Sequence, residues 1–240
     1  MADFISVLRT AFSDNGVSDM LDERSEGLFF DLCEIMKSKN EEMNITAITD
    51  DDGISRKHFA DCMFLARLLD DNGTLADIGC GGGFPSLPIG IVRPNISVTS
   101  IDSTEKKVRY VEDTAKKLGL RLVGVSMRAE EGAKNEKYRE RYDVVTARAV
   151  APLSVLVELC LPYVKVGGRF FSMKGKGAPE EIEASRNAVA KLGAEISAVH
   201  KAVLISDGEE QTRYIIEMKK LRPTPSEFPR QYAKIKKKPL

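Results

Sequence analysis

The stretch Asp77-Ile78-Gly79-Cys80-Gly81-Gly82-Gly83 follows a short apolar run, Thr74-Leu75-Ala76, and spells D-x-G-x-G-x-G. Glycine at alternate positions removes side chains where a backbone turns sharply and lies against a ligand. A glycine-rich turn directly after a strand marks the first strand-to-loop junction of a nucleotide-binding α/β sheet. The remaining sequence decides which nucleotide and which chemistry.

Downstream of Thr74 the pattern alternates. Strands are predicted at Thr74–Gly79, Ser97–Asp102, Leu122–Met127, Tyr142–Ala147 and Gly168–Lys174, with helices at about Ser86–Val92, Thr104–Leu118, Leu153–Tyr163 and Pro179–Leu192. Repeated βα units imply a mainly parallel sheet with helices on both faces. Two late strand-like runs, Glu195–Ile205 and Arg213–Met218, are separated only by a short loop, Ser206–Glu210. Such a loop allows an antiparallel hairpin but no parallel crossover. Upstream, Phe4, Val7, Leu8 and Phe12, then Leu28, Phe29, Leu32, Ile35 and Met36, recur at helical spacing, with Asn15-Gly16 as the break. Residues 39–53 read as a polar stretch, followed by an amphipathic helix over about Ser55–Leu69. The expected organisation is a helical extension (1–72), an α/β domain (73–220) and a basic Pro/Lys-rich tail (221–240).

Composition excludes several classes. The chain has 240 residues, 42% hydrophobic and 30% charged, as in ordinary globular proteins. No apolar run approaches the roughly 20 residues that span a bilayer, and the N-terminus lacks the basic start and apolar core of a signal peptide. The four cysteines (Cys33, Cys62, Cys80, Cys160) include no C-x-x-C pair. That spacing suits a reducing cytoplasm and speaks against a disulfide scaffold or zinc site. The two histidines, His58 and His200, are far apart, so no metal is expected. Net charge is zero, yet residues 1–52 hold 13 acidic and 4 basic side chains while the remainder holds 23 acidic and 32 basic. The asymmetry points to a phosphate-rich partner, or alternatively to a solvated tail that aids solubility.

The glycine loop fits a dinucleotide fingerprint poorly. G-x-G-x-x-G/A counted from Gly79 reaches Phe84, and counted from Gly81 it reaches Ser86 across Pro85. The loop instead resembles motif I of the class I S-adenosylmethionine-dependent methyltransferases, whose sheet also ends in an antiparallel strand. Asp77, Gly79, Gly81, Gly83 and Phe84 are therefore candidate cofactor residues. Asp102, with Ser103 and Thr104, closes the second strand, where an acid is placed to accept from a ribose; its alternative role is capping the next helix. Ala129 and Glu130 follow the third strand, where the adenine edge would lie. Arg148 follows the fourth and is the candidate catalytic residue, suited to the cofactor carboxylate or an oxygen-rich acceptor, or else to a surface ion pair. Lys174 and Lys176 add charge to the same rim. The chain has neither an N/D-P-P-Y motif nor a Pro-Cys nucleophile at this position, so covalent cysteine catalysis is not expected.

The resemblance extends further. Asn44–Ile48, Lys57-His58-Phe59-Ala60-Asp61, Asp77–Pro85, Arg148-Ala149 and Met173-Lys174-Gly175 occur in this order. The ordered set is similar to that of ribosomal RNA small subunit methyltransferase G, the glucose-inhibited division protein B family. The tail Thr224–Arg230 also resembles the family's end. Cys62 departs from the family's usual Ser, and Gly82 from a frequent Ala. The resemblance implies S-adenosylmethionine-dependent transfer to N7 of guanine 527 in 16S rRNA, near the decoding region of the 30S subunit, by a cytoplasmic, monomeric enzyme. It implies cofactor contacts at Gly79, Phe84, Asp102, Ala129, Glu130 and Arg148. Lys57, His58, Lys174, Lys176 and Arg230 are candidate RNA contacts, with His58 equally readable as a buried helix histidine. N7 has no proton to lose, so no general base is expected. Rival readings are a methyltransferase of another RNA or a small molecule, a dinucleotide-binding oxidoreductase, and a non-catalytic RNA-binding protein. The broken G-x-G-x-x-G disfavours the oxidoreductase, while the intact loop with Asp102 disfavours the non-catalytic reading.

Overall fold

Adjacent residues Leu75 and Ala76 point to opposite sides of their strand, and both are fully buried. A sheet covered on both faces is what a parallel, doubly wound arrangement requires. The computed structural model describes Met1–Leu240 and contains one seven-stranded sheet. Its strands are β1 (Gly73–Ile78), β2 (Ile96–Asp102), β3 (Leu122–Ser126), β4 (Tyr142–Arg148), β5 (Val164–Lys174), β6 (Ala194–Ser206) and β7 (Glu209–Lys220). They lie in the order β3-β2-β1-β4-β5-β7-β6. Pairings among β1 to β5 are parallel, whereas β7 runs antiparallel to both β5 and β6. The predicted terminal hairpin is present, but its strands are longer than the apolar pattern suggested. Its turn is only Asp207-Gly208, both left-handed with φ of 55° and 73°. Asp-Gly is the dipeptide such two-residue turns favour.

The helices are α1 (Ala2–Asp14), α2 (Glu23–Met43), α3 (Asp51–Gly53), α4 (Asp61–Ala66), α5 (Ser86–Val92), α6 (Glu105–Lys117), α7 (Ala129–Gly132), α8 (Leu153–Cys160), α9 (Ala178–Lys191) and α10 (Tyr232–Lys237). A capping box opens α2: Asp22 accepts from the Ser25 N–H at 2.7 Å, and Ser25 Oγ accepts from the Asp22 N–H at 2.8 Å. This helix runs through the first third of the stretch read as polar, ending at Met43. It stops at Asn44, whose left-handed conformation (φ 49°, ψ 56°) suits a helix C-terminus. Between α3 and α4 the helix continues as a π-helical segment, Ile54–Ala60. Irregular turns of this kind are frequent at functional sites, and this one carries Lys57 and His58.

One apolar core joins the N-terminal helices to the sheet: Phe12, Phe29 and Phe59 are buried together with Leu75, Ile89, Phe171 and Ile215. The opposite core packs Ala76, Val145 and Phe170 against Leu156 and Leu159 of α8 and Val189 of α9.

The C-terminal segment is packed on the domain, against the alternative reading of its charge as a solvated tail. Phe228 and Ile235 are buried in that second core. Three charged groups fix the segment. Lys220, fully buried, donates to Thr224 Oγ1 at 2.7 Å and the Leu161 carbonyl at 2.8 Å. Arg139 donates to the carbonyls of Thr224 and Phe228, both at 2.8 Å. Arg230 donates to Glu158, at 2.8 Å through its backbone N–H and 2.6 Å through its guanidinium. Glu158 is 0% exposed, so Arg230→Ala would strand a buried carboxylate, at a cost of about 3 kcal/mol. Urea unfolding should show this loss, and the double variant Arg230→Met/Glu158→Leu should lose less, because no charge is left unpaired.

Candidate functional site

The glycine loop leaves β1 over the end of β2. The Gly79 N–H donates to the Ile101 carbonyl at 2.7 Å, and the Gly81 N–H to Asp102 Oδ2 at 3.0 Å. Gly79, Gly81 and Gly83 all have positive φ (74°, 54° and 87°), so the alternation seen in the sequence is a conformational requirement. Space also limits Gly83, where a Cβ would lie 2.5 Å from Leu87 Cδ1. The second oxygen of Asp102 accepts from the Thr104 N–H at 2.8 Å. One carboxylate thus ties the loop to the residue that precedes α6; the N-cap of α6 is Thr104, so Asp102 does not cap the helix, and the acid remains partly exposed.

Above the loop lies a cavity of about 500 Å³, within the range of small-molecule and cofactor sites. Gly79, Gly81, Phe84, Asp102, Ser103, Ala129, Glu130, Arg148 and His58 all line it. Asp77, Gly83 and Thr104 do not. Asp77 is fully buried beneath the loop and accepts from the Ser86 N–H at 3.3 Å. Its other oxygen has no protein partner, and burial raises its pKa to about 6. Ile45 and Thr46, from the Asn44–Ile48 motif, also line the cavity, as do Lys107, Met127, Arg128, Leu159 and Tyr232, which no sequence signal marked.

A second cavity of about 440 Å³ adjoins the first and shares His58, Arg148 and Ala149 with it. Its other walls include Lys57, Asp61, Lys174, Arg213 and Tyr214. Asp61 organises this boundary. It is 5% exposed and accepts from Arg148 at 3.1 Å and from Arg213 at 2.9 Å. Arg148 also donates to the Lys57 carbonyl at 3.2 Å, and its guanidinium lies 5.4 Å from the Phe84 ring centre, within cation–π range.

His58 stacks on Phe84, with ring centres 4.6 Å apart and planes 14° apart. Its Nε2 lies 2.9 Å from Thr46 Oγ1, while the buried Nδ1 has no protein partner. Burial, with the charges of Arg148 and Lys57, lowers its pKa to about 4, so the ring is neutral near pH 7. It lines both cavities and is a half-buried histidine of the π-helical segment. Burial also pushes the Cys62 thiol up to about 12 and that of Cys80 higher still, which agrees with the expectation of no thiolate nucleophile.

Of the remaining cations, Lys176 is exposed on the β5–α9 turn. Lys174 is committed to Glu181 at 2.8 Å and Lys57 to Asp207 at 2.6 Å. Arg230 lines neither cavity, being held on Glu158. No cluster of His, Cys, Asp and Glu able to hold a metal is present, and no helix is long and apolar enough to cross a membrane.

The sheet order, the glycine loop after β1 and the acid after β2 define a Rossmann-like methyltransferase fold. A solved S-adenosylmethionine-dependent O-methyltransferase from Thermotoga maritima superposes with a TM-score of 0.50 at 16% identity, over 79% of this chain and 72% of that one. The family description "rRNA small subunit methyltransferase G" matches residues 27–208. Two proteins named ribosomal RNA small subunit methyltransferase G agree. That of Geobacillus kaustophilus is 41% identical over 235 residues, 97% of each chain. That of Clostridium perfringens strain 13 is 40% identical over 210 residues, 86% of this chain and 87% of the other. The chain belongs to the rRNA small subunit methyltransferase G family.

The pKa of His58 has a consequence for stability. Above about pH 6.5 the ring is neutral in both the folded and unfolded states. Between 6.5 and about 4 only the unfolded chain gains the proton, so stability falls on acidification. Asp77 acts oppositely between about 6 and its unfolded value, because the folded state holds the extra proton. Urea titrations from pH 7 to pH 5 should show a steeper loss for the wild type than for His58→Gln.

Proposed function

We propose that this chain transfers a methyl group from S-adenosylmethionine to N7 of a guanine in 16S rRNA of the small ribosomal subunit. The observation that carries the reading is the meeting of two cavities at His58, Arg148 and Ala149, in a chain of this family. One is walled by the glycine loop and the strand-end acid. The other is rimmed by Lys57, Lys174 and Arg213.

The first cavity fits the cofactor. Gly79 and Gly81 present bare backbone, Asp102 suits a ribose diol, and Ala129 and Glu130 suit the edge of an adenine. Arg148 suits the methionine carboxylate. When bound, S-adenosylmethionine supplies a methyl group activated by a sulfonium. The second cavity would take the guanine, with the exposed Lys176 toward the RNA backbone, while Lys57 and Lys174 rim it held by Asp207 and Glu181. The residues at the boundary orient the reactants, and orientation of this kind contributes several kcal/mol to a bimolecular transfer. No base is required, since N7 offers a lone pair without a proton, and neutral His58 is suited to packing. Methylated guanine carries positive charge, so free cations at N7 would oppose the step. Asp61, shared between Arg148 and Arg213, offsets part of their charge.

Labelled methyl transfer to 30S subunits lacking the modification, followed by mapping of the labelled base, tests the reading. Label on a guanine N7 supports it, and subunits that accept no methyl overturn it in favour of another acceptor. Asp102→Ala removes a charged hydrogen-bond acceptor worth about 1.5–3 kcal/mol, and should weaken S-adenosylmethionine binding about ten- to a hundredfold by calorimetry. Arg148→Ala should lower turnover, cofactor affinity or both; if neither changes, its assignment is wrong.

A further inference from the structure

We infer that the C-terminal segment completes the cofactor site, with Tyr232 as an additional adenine-binding residue. The inference rests on the proposed use of the first cavity for S-adenosylmethionine. Tyr232 is half-buried at the start of α10 and lines that cavity beside Met127, Arg128, Ala129 and Leu159. Met127, Arg128 and Ala129 follow β3, where Glu130 is placed for the adenine edge, and Leu159 comes from α8. The Arg128 guanidinium sits 5.7 Å from the Tyr232 ring centre, and Arg128 Nε donates to Glu130 Oε1 at 2.8 Å. The aromatic ring, the cation and the acid therefore form one relay along the cavity wall.

The placement is built into the fold. Phe228 and Ile235, on either side of Tyr232, are buried in the core beneath α8. Arg230, two residues earlier, is clamped to the buried Glu158 on the same helix that supplies Leu159. Arg139 and Lys220 hold the preceding turn. An aromatic ring fixed in this way offers a flat apolar face to a purine at little conformational cost, and stacking of a base on an aromatic ring survives without any specific hydrogen bond. The segment acts through the cofactor rather than through RNA phosphates, although its Lys-rich composition suggests the reverse.

Isothermal titration calorimetry with S-adenosylhomocysteine and with 5′-methylthioadenosine, which lacks the amino-acid half, tests this in the full-length chain. Tyr232→Ala should weaken both ligands by a similar factor, about tenfold, and Tyr232→Phe should restore both. Tyr232→Leu keeps the apolar packing of the segment without the π face, so it should bind as weakly as the alanine variant while melting like the wild type. Unchanged affinity in Tyr232→Ala overturns the proposal, as does a loss confined to S-adenosylhomocysteine or full rescue by leucine. Asp102→Ala serves as the reference. If it too binds both ligands normally, the cofactor reading of the cavity fails; if it weakens them while Tyr232→Ala does not, only the role of Tyr232 falls.

Discussion

A single buried carboxylate, Asp61, holds the N-terminal helices in register with the sheet. Its two oxygens accept from Arg148 at the end of β4 and Arg213 in β7, so three separate parts of the chain converge on one group. A charge taken out of water is costly unless it is fully paired, and here each partner supplies what the other lacks. The arrangement turns the helical layer into a wall of the site. His58 and Lys57 are set by the helix that carries Asp61, Arg148 is set by the sheet, and the boundary between the two cavities lies where they meet.

Ionic groups do similar positioning work on the opposite face. Glu158 and Lys220 lie within apolar surroundings, and each holds part of the C-terminal segment through charge-assisted hydrogen bonds, which are short and directional. Apolar packing of Phe228 and Ile235 alone would leave the segment free to shift along α8. The ion pair of Glu158 with Arg230 fixes it at one point, and Tyr232 follows two residues later. Stability and site geometry are thus coupled through the same contacts.

Local sequence carried the fold well, because its signals were local. Alternation of apolar runs identified every strand, and the glycines with Asp102 marked the loop and its anchor, since all three glycines meet a backbone constraint within a few residues. What escaped depends on distance or on masking. Asp61 lies 87 residues from Arg148 and 152 from Arg213, and no spacing rule joins them. The extension of α2 past residue 38 was hidden by its polar surface, since an exposed helical turn has no apolar period. In the tail, the charge run dominated the reading and obscured Phe228 and Ile235, whose burial requires a groove supplied by α8. Lys174 and Arg230 looked like free cations because their carboxylate partners, Glu181 and Glu158, were not visible as neighbours.

The electrostatic pattern suits a reaction that moves no proton. An imidazole at the boundary of the two cavities would ordinarily be suspected as a general base. Here desolvation and the nearby Arg148 and Lys57 hold His58 neutral, with its pKa at about 4, leaving little driving force to accept a proton at neutral pH. Its ring instead lies nearly parallel to Phe84, a stacked surface at the junction of the cavities. Arg148 keeps its charge, and Asp61, which it shares with Arg213, offsets part of it. The boundary therefore combines flat apolar contact with partly offset charge, which favours alignment of two reactants. A site requiring deprotonation would need the opposite arrangement, with a raised base or an unpaired acid facing the acceptor; the one raised acid, Asp77, is instead sealed beneath the glycine loop.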